Sequence, residues 1–316
     1  MSAEINVSAV IPLFNEEPSL HELFTRLEAN LSKMGNWEII FIDDGSSDRS
    51  LEVLRTLHDR EARVRIISFR KNYGKSAALH AGFKAARGQY VITLDADLQD
   101  DPAEFQSLIR KLEEGYDLVS GWKKKRKDPI EKKLPSKLFN SVVGLLTGIR
   151  LHDFNCGLKA YRREVIAEVP VYGEMHRFIP ALVHWAGFRV TELPVQHHPR
   201  KHGRSKYGAK RYLSGFLDLL SVIFLVRFAK KPMHLFGLGG MLFTFAGLLI
   251  LGYLTWGWMQ GVWIGDRPLF FLGILLMVFG VQSFSLGLIG ELLTRFTADR
   301  GEYSAKLFVG FDQEPF

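Results

Sequence analysis

The residues best suited to chemistry lie in Tyr90-Val91-Ile92-Thr93-Leu94-Asp95-Ala96-Asp97-Leu98-Gln99, an apolar run that ends in two carboxylates one residue apart. An extended chain alternates its side chains, so Asp95 and Asp97 share a face. A turn toward Asp100-Asp101-Pro102 would bring Gln99 in beside them. All three carry hard oxygen donors of the kind that hold Mg²⁺ or Mn²⁺, and such an ion would bridge the phosphates of a bound nucleotide. The same D-x-D spacing occurs in plain acidic turns that close a strand, so its meaning depends on the elements around it.

Those elements alternate. Val7 to Phe14 is an apolar run, Asn15-Glu16-Glu17-Pro18 a loop, and about Ser19 to Met34 a helix. Trp37 to Ile42 is again apolar and β-rich; it ends in Asp43-Asp44-Gly45-Ser46-Ser47-Asp48 before an amphipathic run from Leu51 to Arg60. Val64 to Phe69 precedes an alanine-rich helix from Lys75 to Arg87, and Tyr90 to Leu94 is a fourth strand. Alternation at this spacing predicts βαβ units, an α/β fold and a mainly parallel sheet. Ligands of such sheets sit at the carboxyl ends of the strands. Asn15 and Glu16, Asp43 and Asp44, Asn72 and Lys75, and Asp95 and Asp97 all fall there, so polar loops converge on one edge. Gly74-Lys75-Ser76 is not a P-loop, because that motif requires a glycine where this chain has Phe69. Lys75 stands near a helix start and is expected to meet a phosphate or a carboxylate.

Downstream, Asp117 to Trp122 reads as a further strand. It is followed by the basic run Lys123 to Lys127 and by Leu134 to Ile149, whose mixed leucines and lysines suit either a membrane-surface helix or a core helix. Leu151 to Lys159 packs polar groups into an apolar segment, where Asp153 either contacts a substrate or caps the local backbone. Cys156 reads as a small core residue rather than a nucleophile; as the single cysteine it forms no intramolecular disulfide. Val190 to Val195 is another strand, and His197-His198-Pro199-Arg200-Lys201-His202-Gly203-Arg204-Ser205-Lys206-Tyr207 follows it. Adjacent histidines do not easily share a tetrahedral zinc, and the neighbouring cations would repel one. A glycine-containing basic loop is better suited to grip a phosphate.

Charge is unevenly spread. The net +7 is concentrated in Lys123 to Lys127 and Arg200 to Arg211, and charged residues are frequent through about Lys231. Met233 to about Trp258 and Leu269 to about Ile289 then carry no Asp, Glu, Lys or Arg. A bilayer core needs about 20 apolar residues per helix, and both runs suffice. Lys230 and Lys231 before the first run, with Arg295 and Arg300 after the second, place both chain ends in the cytoplasm by the positive-inside rule; Trp256, Trp258 and Trp263 fall at the outer interface. Nucleic acid would explain the basic clusters and leave the hairpin without a purpose, so a lipid surface is the better partner. The opening Met1-Ser2-Ala3-Glu4 lacks the basic and apolar regions of a cleaved signal peptide. The expected plan is a cytoplasmic domain over 1–230 with interfacial helices at about 131–149 and 208–228. Two membrane helices within 231–293 follow, at about 233–258 and 269–290, and then a cytoplasmic tail over 294–316. Gly237, Gly239 and Gly240 would permit close helix packing, including contact with a second copy in a homo-oligomer.

Assembled in order, Val10-Ile11-Pro12-Leu13-Phe14-Asn15-Glu16, Ile42-Asp43-Asp44-Gly45-Ser46-Ser47-Asp48, Asn72-Tyr73-Gly74-Lys75 and Asp95-Ala96-Asp97-Leu98-Gln99-Asp100 resemble glycosyltransferase family two. The resemblance is strongest to the polyprenyl-phosphate glycosyltransferases, among them the dolichyl-phosphate mannose and glucose synthases. It extends through Asp153-Phe154-Asn155-Cys156-Gly157, the basic loop and the two apolar runs. It implies a GT-A fold and an inverting, metal-dependent transfer of a sugar from a nucleotide diphosphate sugar to a lipid phosphate at the inner membrane. By the same resemblance Pro12, Phe14, Glu16 and Asp44 would hold the base and ribose, and Asp95 would lie near the ribose or donor sugar. Asp97 with Gln99 would bind Mg²⁺ or Mn²⁺ on the diphosphate, Asp153 falls at a catalytic carboxylate, and Arg200, Ser205 and Lys206 would meet the lipid phosphate. The implied pair is UDP-glucose and undecaprenyl phosphate, with GDP-mannose and dolichyl phosphate as the alternative. A phosphate monoester is already anionic near neutral pH, its second pKa being about 6, so Asp153 would serve to orient the acceptor or stabilise charge on the sugar as readily as to remove a proton. A processive polysaccharide synthase would add a Q-x-x-R-W motif, which the sequence lacks. A binding protein that had lost catalysis would have no reason to keep Asp95, Asp97, Gln99, Asp153 and the basic loop together.

Overall fold

The computed structural model describes residues 5–124, 143–144, 147–168, 175–199, 224 and 232–298. The chain divides into two compact units, Met1–Leu219 and Leu220–Phe316. In the first, seven strands form one sheet in the order β3-β2-β1-β4-β6-β5-β7. They are β1 (Val7–Leu13), β2 (Trp37–Asp43), β3 (Val64–Ser68), β4 (Tyr90–Thr93), β5 (Leu118–Trp122), β6 (Lys159–Arg162) and β7 (Val190–Pro194). β1 pairs in parallel with both β2 and β4, β2 with β3, and β5 with β7. Only β6 runs antiparallel, between β4 and β5.

Helices α1 (Glu17–Leu31), α2 (Ser50–Arg60) and α4 (Phe105–Glu113) pack Phe24, Leu54 and Phe105 with Ile11, Phe41 and Ile92 in one core. Helix α3 (Lys75–Ala85) and the short helices Arg163–Glu168 and Ile179–Trp185 cover the other face, where Leu79, Phe83 and Val183 meet Val10, Ile40 and Val91. β1 and β2 are buried at every position, as expected of parallel strands covered on both faces. The expected alternation therefore holds as far as β4. The short β6 was not anticipated; its four residues begin with Lys159 and end with Arg162, and nothing local marks so short a strand. Two boundaries also differ. α1 starts at Glu17 because Pro18 suits a first helical turn. α3 stops at Ala85 because the next residues are held elsewhere: the Arg87 N–H donates to Glu38 Oε1 at 2.8 Å and the Gly88 N–H to Ser8 Oγ at 2.8 Å.

Glu38 is a buried charge at the centre of that knot. Its carboxylate accepts from the Ser8 hydroxyl at 2.7 Å, from Arg65 at 2.9 Å and from the Arg87 guanidinium at 3.1 Å. Burial opposes the charge, and the Ser8, Arg87 and Arg65 hydrogen bonds outweigh it, so Glu38 stays ionised to lower pH than an ordinary glutamate.

The second unit contains two helices long and apolar enough to cross a membrane, Pro232–Met259 and Pro268–Leu293 within the longer helix Pro268–Ala298. Leu242, Phe245, Leu249, Tyr253, Phe271, Leu275 and Phe279 face outward. The helices meet at small residues. A Cβ on Gly240 would come within 2.6 Å of the Gly280 carbonyl, and one on Gly247 within 2.9 Å of the Gly273 carbonyl. Of the three glycines singled out in the sequence, Gly240 makes this contact, a Cβ on Gly287 would come within 3.3 Å of the Gly237 backbone nitrogen, and Gly239 opens onto free space. Trp256, Trp258 and Trp263 are all exposed around the connection between the helices.

Replacing the Glu38 carboxylate should expose the cost of its network. Glu38→Gln is expected to lower the stability of the detergent-solubilised protein at neutral pH by about 2 kcal/mol, the value of a charge-assisted hydrogen bond. Because the folded-state pKa of Glu38 is depressed, its stabilisation is full at neutral pH and is lost as pH falls through that lowered value. The gap between wild type and variant, measured by unfolding across pH, should therefore close on acidification.

Candidate active site

The site is built where β4 leaves β1. Their last paired residues are Val10 and Thr93, and the Leu94 N–H still donates to the Val10 carbonyl, while β1 runs on beside β2 to Leu13 opposite Asp43. Pro12 is tolerated in this central strand because its missing N–H falls on the side that β4 has vacated. β1 connects through its neighbours to one edge of the sheet and β4 leads to the other, so this is a topological switch point, where doubly wound sheets bind ligands.

Leu94 to Asp100 leaves the sheet along that crevice. Asp95, Asp97 and Gln99 are half-buried, whereas Ala96, Leu98 and Asp100 are buried, so the expected alternation continues past the end of the strand. Leu98 takes φ +60°, a left-handed conformation that costs a branched residue on the order of 1 kcal/mol and reverses the chain within the run. The Gln99 N–H then donates to Asp97 Oδ1 at 3.3 Å. Lys75, at the start of α3, forms an ion pair with Asp95.

The other loops are laced into the same edge. Asn15 takes φ +53° and accepts from the Ser47 N–H at 2.8 Å, while its own N–H donates to Ser46 Oγ at 2.9 Å. The Glu16 N–H donates to Ser50 Oγ at 3.1 Å. Asp44 is buried and accepts from the Tyr73 N–H at 2.7 Å and the Gly74 N–H at 2.9 Å, which anchors the turn that presents Lys75. Pro12 is buried in β1 and Phe14 and Glu16 are half-buried beyond it. The convergence expected from the sequence is therefore present and is held by hydrogen bonds between loops.

Behind Asp95 lies a half-open cleft. It is lined by Lys75 and Leu79, Thr93 and Asp95, Asn155 to Gly157, Lys159 and Tyr161, and His176, Arg177 and Ile179. The antiparallel β6 delivers much of this wall, since Lys159 pairs with Thr93 in register. The Thr93 hydroxyl donates to the Gly157 carbonyl at 2.8 Å, and a Cβ on Gly157 would stand 2.5 Å from Asp95 Oδ2, so any side chain there would displace that carboxylate. Burial pushes the Cys156 thiol up to about 12, which keeps it protonated and inert, as the core reading expected. Burial also lowers the Lys159 ammonium and raises the Tyr161 phenol.

Asp153 is 2% exposed, does not line the cleft and accepts from the Asn155 N–H at 3.1 Å. That is the backbone-capping arrangement weighed for it in the sequence. Arg200, Ser205 and Lys206, and with them the helices expected at about 131–149 and 208–228 apart from a few positions, lie outside the described residues. Sequence reasoning missed Lys159, His176 and Arg177 as cleft residues. Lys159 at least stood in a segment marked by its mixture of polar and apolar groups; Arg177 had no local signal.

It also missed a buried knot beneath the acidic run. Asp100 pairs with Lys123 at 2.8 Å, with His197 Nδ1 3.6 Å away, and Asp100 and His197 form an isolated antiparallel bridge. The His198 N–H donates to the Gln99 carbonyl at 2.8 Å, and His198 Nε2 stands 3.2 Å from Asp101 Oδ2. Burial opposes both charges, but Lys123 and His197 hold Asp100 well below the usual carboxylate range, and Asp100 raises Lys123 in turn. Lys123, read in the sequence as part of a basic cluster, is thus largely buried.

Among the described residues, no three His, Cys, Asp or Glu side chains converge as a self-sufficient metal cage. Two carboxylates and an amide oxygen are instead the kind of donor set from which Mg²⁺ or Mn²⁺ takes one or two protein ligands, the rest coming from phosphate and water. The half-buried Asp95, Asp97 and Gln99 fit that requirement.

Solved structures share this architecture. Glucosyl-3-phosphoglycerate synthase from Mycobacterium tuberculosis, crystallised with Mn²⁺, uridine diphosphate and phosphoglyceric acid, matches with a TM-score of 0.51 over 69% of this chain and 79% of that one, at 20% identity. The fold is GT-A, that of transferases acting on activated sugars. Within that class the chain belongs to glycosyl transferase family 2, whose model matches residues 8–169. A dodecaprenyl-phosphate galacturonate synthase from Rhizobium johnstonii is 42% identical over 300 residues, 92% of this chain and 88% of that protein. An undecaprenyl-phosphate 4-deoxy-4-formamido-L-arabinose transferase from Pseudomonas aeruginosa is 39% identical over 300 residues, 93% of this chain and 86% of that protein.

The Asp100–Lys123 pair makes a stability prediction. Asp100→Ala or Lys123→Met alone strands a buried charge and should cost about 3–5 kcal/mol. The double variant should lose less than the sum of the two by at least about 1 kcal/mol, because the groups are in contact. Denaturant unfolding of the four proteins in detergent checks this, and strictly additive losses would contradict it.

Proposed function

We propose that this glycosyltransferase moves a sugar from a nucleoside diphosphate sugar onto a polyprenyl phosphate at the cytoplasmic face of the inner membrane. The observation that carries the reading is the oxygen-donor run Asp95–Gln99 at the sheet switch point, beside Lys75, in a chain that also holds two apolar helices of membrane-spanning length. Relatives named for polyprenyl-phosphate sugars, aligned along nine-tenths of the chain, support the acceptor class. The apolar outward faces of both helices support a membrane hairpin with both chain ends on the cytoplasmic side, given the flanking lysines and arginines.

In this reading Pro12, Phe14, Glu16 and Asp44 form the base and ribose end, Asp44 acting also through the turn it anchors. Asp97 and Gln99, with Asp95, hold Mg²⁺ or Mn²⁺. The ion supplies charge compensation for the leaving diphosphate. Lys75 pairs with Asp95 and orients it at the mouth of the cleft, where the sugar lies. Arg200, Ser205 and Lys206 receive the lipid phosphate. One phosphate oxygen attacks the anomeric carbon as the bond to the diphosphate breaks on the opposite side, so the configuration inverts. That oxygen is anionic at neutral pH, and no base is required to activate it. Asp153, buried and capping Asn155, then acts as a positioning group for the Asn155–Gly157 turn.

The resemblance in the sequence favours UDP-glucose as donor and undecaprenyl phosphate as acceptor. The relatives' galacturonate and formamido-arabinose widen the donor class to modified sugars.

Two measurements test the reading. Purified protein given radiolabelled nucleotide sugars, a short polyprenyl phosphate and Mg²⁺ or Mn²⁺ should yield a labelled lipid, and EDTA should stop it. Asp97→Ala should lower turnover at least about 100-fold, the scale of losing an electrostatic group at a reacting centre. Near-normal turnover by that variant would show that Asp97 does not hold the ion.

A further inference from the structure

The helix Pro268–Ala298 presents two different faces. Gly273, Gly280 and Gly287 recur at every seventh residue, and a Cβ on each would meet Leu251, Gly240 and Met233 of the other long helix, so this is the stripe the two helices share. Gln282 lies two residues beyond Gly280, about 200° round the helix from it. Leu275, Phe279, Leu286 and Ile289 fall on the same far side; they are each 50–55% exposed, and Gln282 is exposed with them. The five residues are spaced alternately four and three apart, the repeat by which one helix packs lengthwise against another.

Gln282 bears on what covers that face. It stands near the middle of Pro268–Leu293, the stretch apolar enough to cross a membrane. On the same helix the Ser285 hydroxyl donates to the Val281 carbonyl at 2.9 Å, whereas the Gln282 amide has no hydrogen-bond partner among the described residues. Lipid tails offer neither donors nor acceptors, so an amide facing them would carry the full cost of its lost water. An apolar partner would leave that cost in place, and a second copy of the same helix removes it. Copies inserted in one membrane run parallel, which brings Gln282 to the same depth in each. An amide both donates and accepts, so two of them bond reciprocally about a two-fold axis. Gly240 and Gly280 are already engaged within one chain, and the far side is the face that this contact leaves open.

We infer that the chain forms a parallel homodimer through the Leu275, Phe279, Leu286 and Ile289 face of this helix, with the paired Gln282 amides fixing the register. The inference rests on the membrane reading of the two helices given above and adds the surface that a second copy takes. A single polar residue in an otherwise apolar seam specifies the register and copy number of a helix pair.

The full chain carrying Gln282→Cys, reconstituted in phosphatidylcholine vesicles and oxidised with copper phenanthroline, should give a disulfide-linked product of twice the chain's mass. Val281→Cys, at nearly the same depth but on another side of the helix, should cross-link at most about a tenth as fast, because a disulfide needs its Cβ atoms within about 4.5 Å of each other. The native Cys156 is buried and stays in both variants. Measured by fluorescence transfer between labelled copies diluted in lipid, Gln282→Leu should raise the dimer dissociation constant about 10-fold, the scale of interhelical hydrogen bonding in a membrane, and Gln282→Asn should raise it less. Absence of a disulfide dimer at position 282, equal cross-linking at both positions, a product containing a different protein, or unchanged association of Gln282→Leu would each overturn the inference and leave the membrane reading standing. A wild-type chain that alkaline carbonate strips from the vesicles would sink the membrane reading and the dimer with it.

Discussion

β4 pairs with β1 no further than Thr93, while β1 continues beside β2 to Leu13. Every feature of the site depends on that difference in strand length. It leaves a crevice at the carboxyl edge into which Asp95, Asp97 and Gln99 emerge, and it frees the β4 side of β1 where Pro12 has no N–H to offer. A longer β4 would carry the two carboxylates into the sheet, where both would face the same covered core. The left-handed Leu98 completes the effect by reversing the chain while keeping Gln99 on the open side.

Charge is organised in layers around this crevice. Asp100 and Lys123 form a buried pair below the acidic run, and with His197 and His198 they tie it to the segment that leads into the basic loop. Lys75 and Asp95 form a more exposed pair at the mouth. Lys159 is buried as well and donates to a backbone carbonyl. The first pair is compensated within the protein and fixes geometry.

The two long apolar helices follow different physics. Their interface is made by glycines at which two backbones approach, and their large side chains face outward. In a bilayer, apolar burial would not hold such helices together, and close backbone contact would take its place.

The sequence by itself determined the alternating strands and helices through β4, the loops that carry Asn15, Asp44, Lys75 and Asp95, and the two apolar helices. Each of these is written in local periodicity or in turn residues that act over a few positions. The alternation of Asp95, Asp97 and Gln99 was legible for the same reason. The tertiary structure alone decided that Lys123 is buried with Asp100 rather than exposed in a basic cluster, and that Asp153 caps a turn beneath the cleft instead of lining it. It alone brought Lys159 and Arg177 to the same cavity as Asp95. Lys159 arrives there on an antiparallel strand of four residues, and Arg177 from a separate helical turn. Burial and pairing of charges are set by where such strands place them, and no local spacing encodes it.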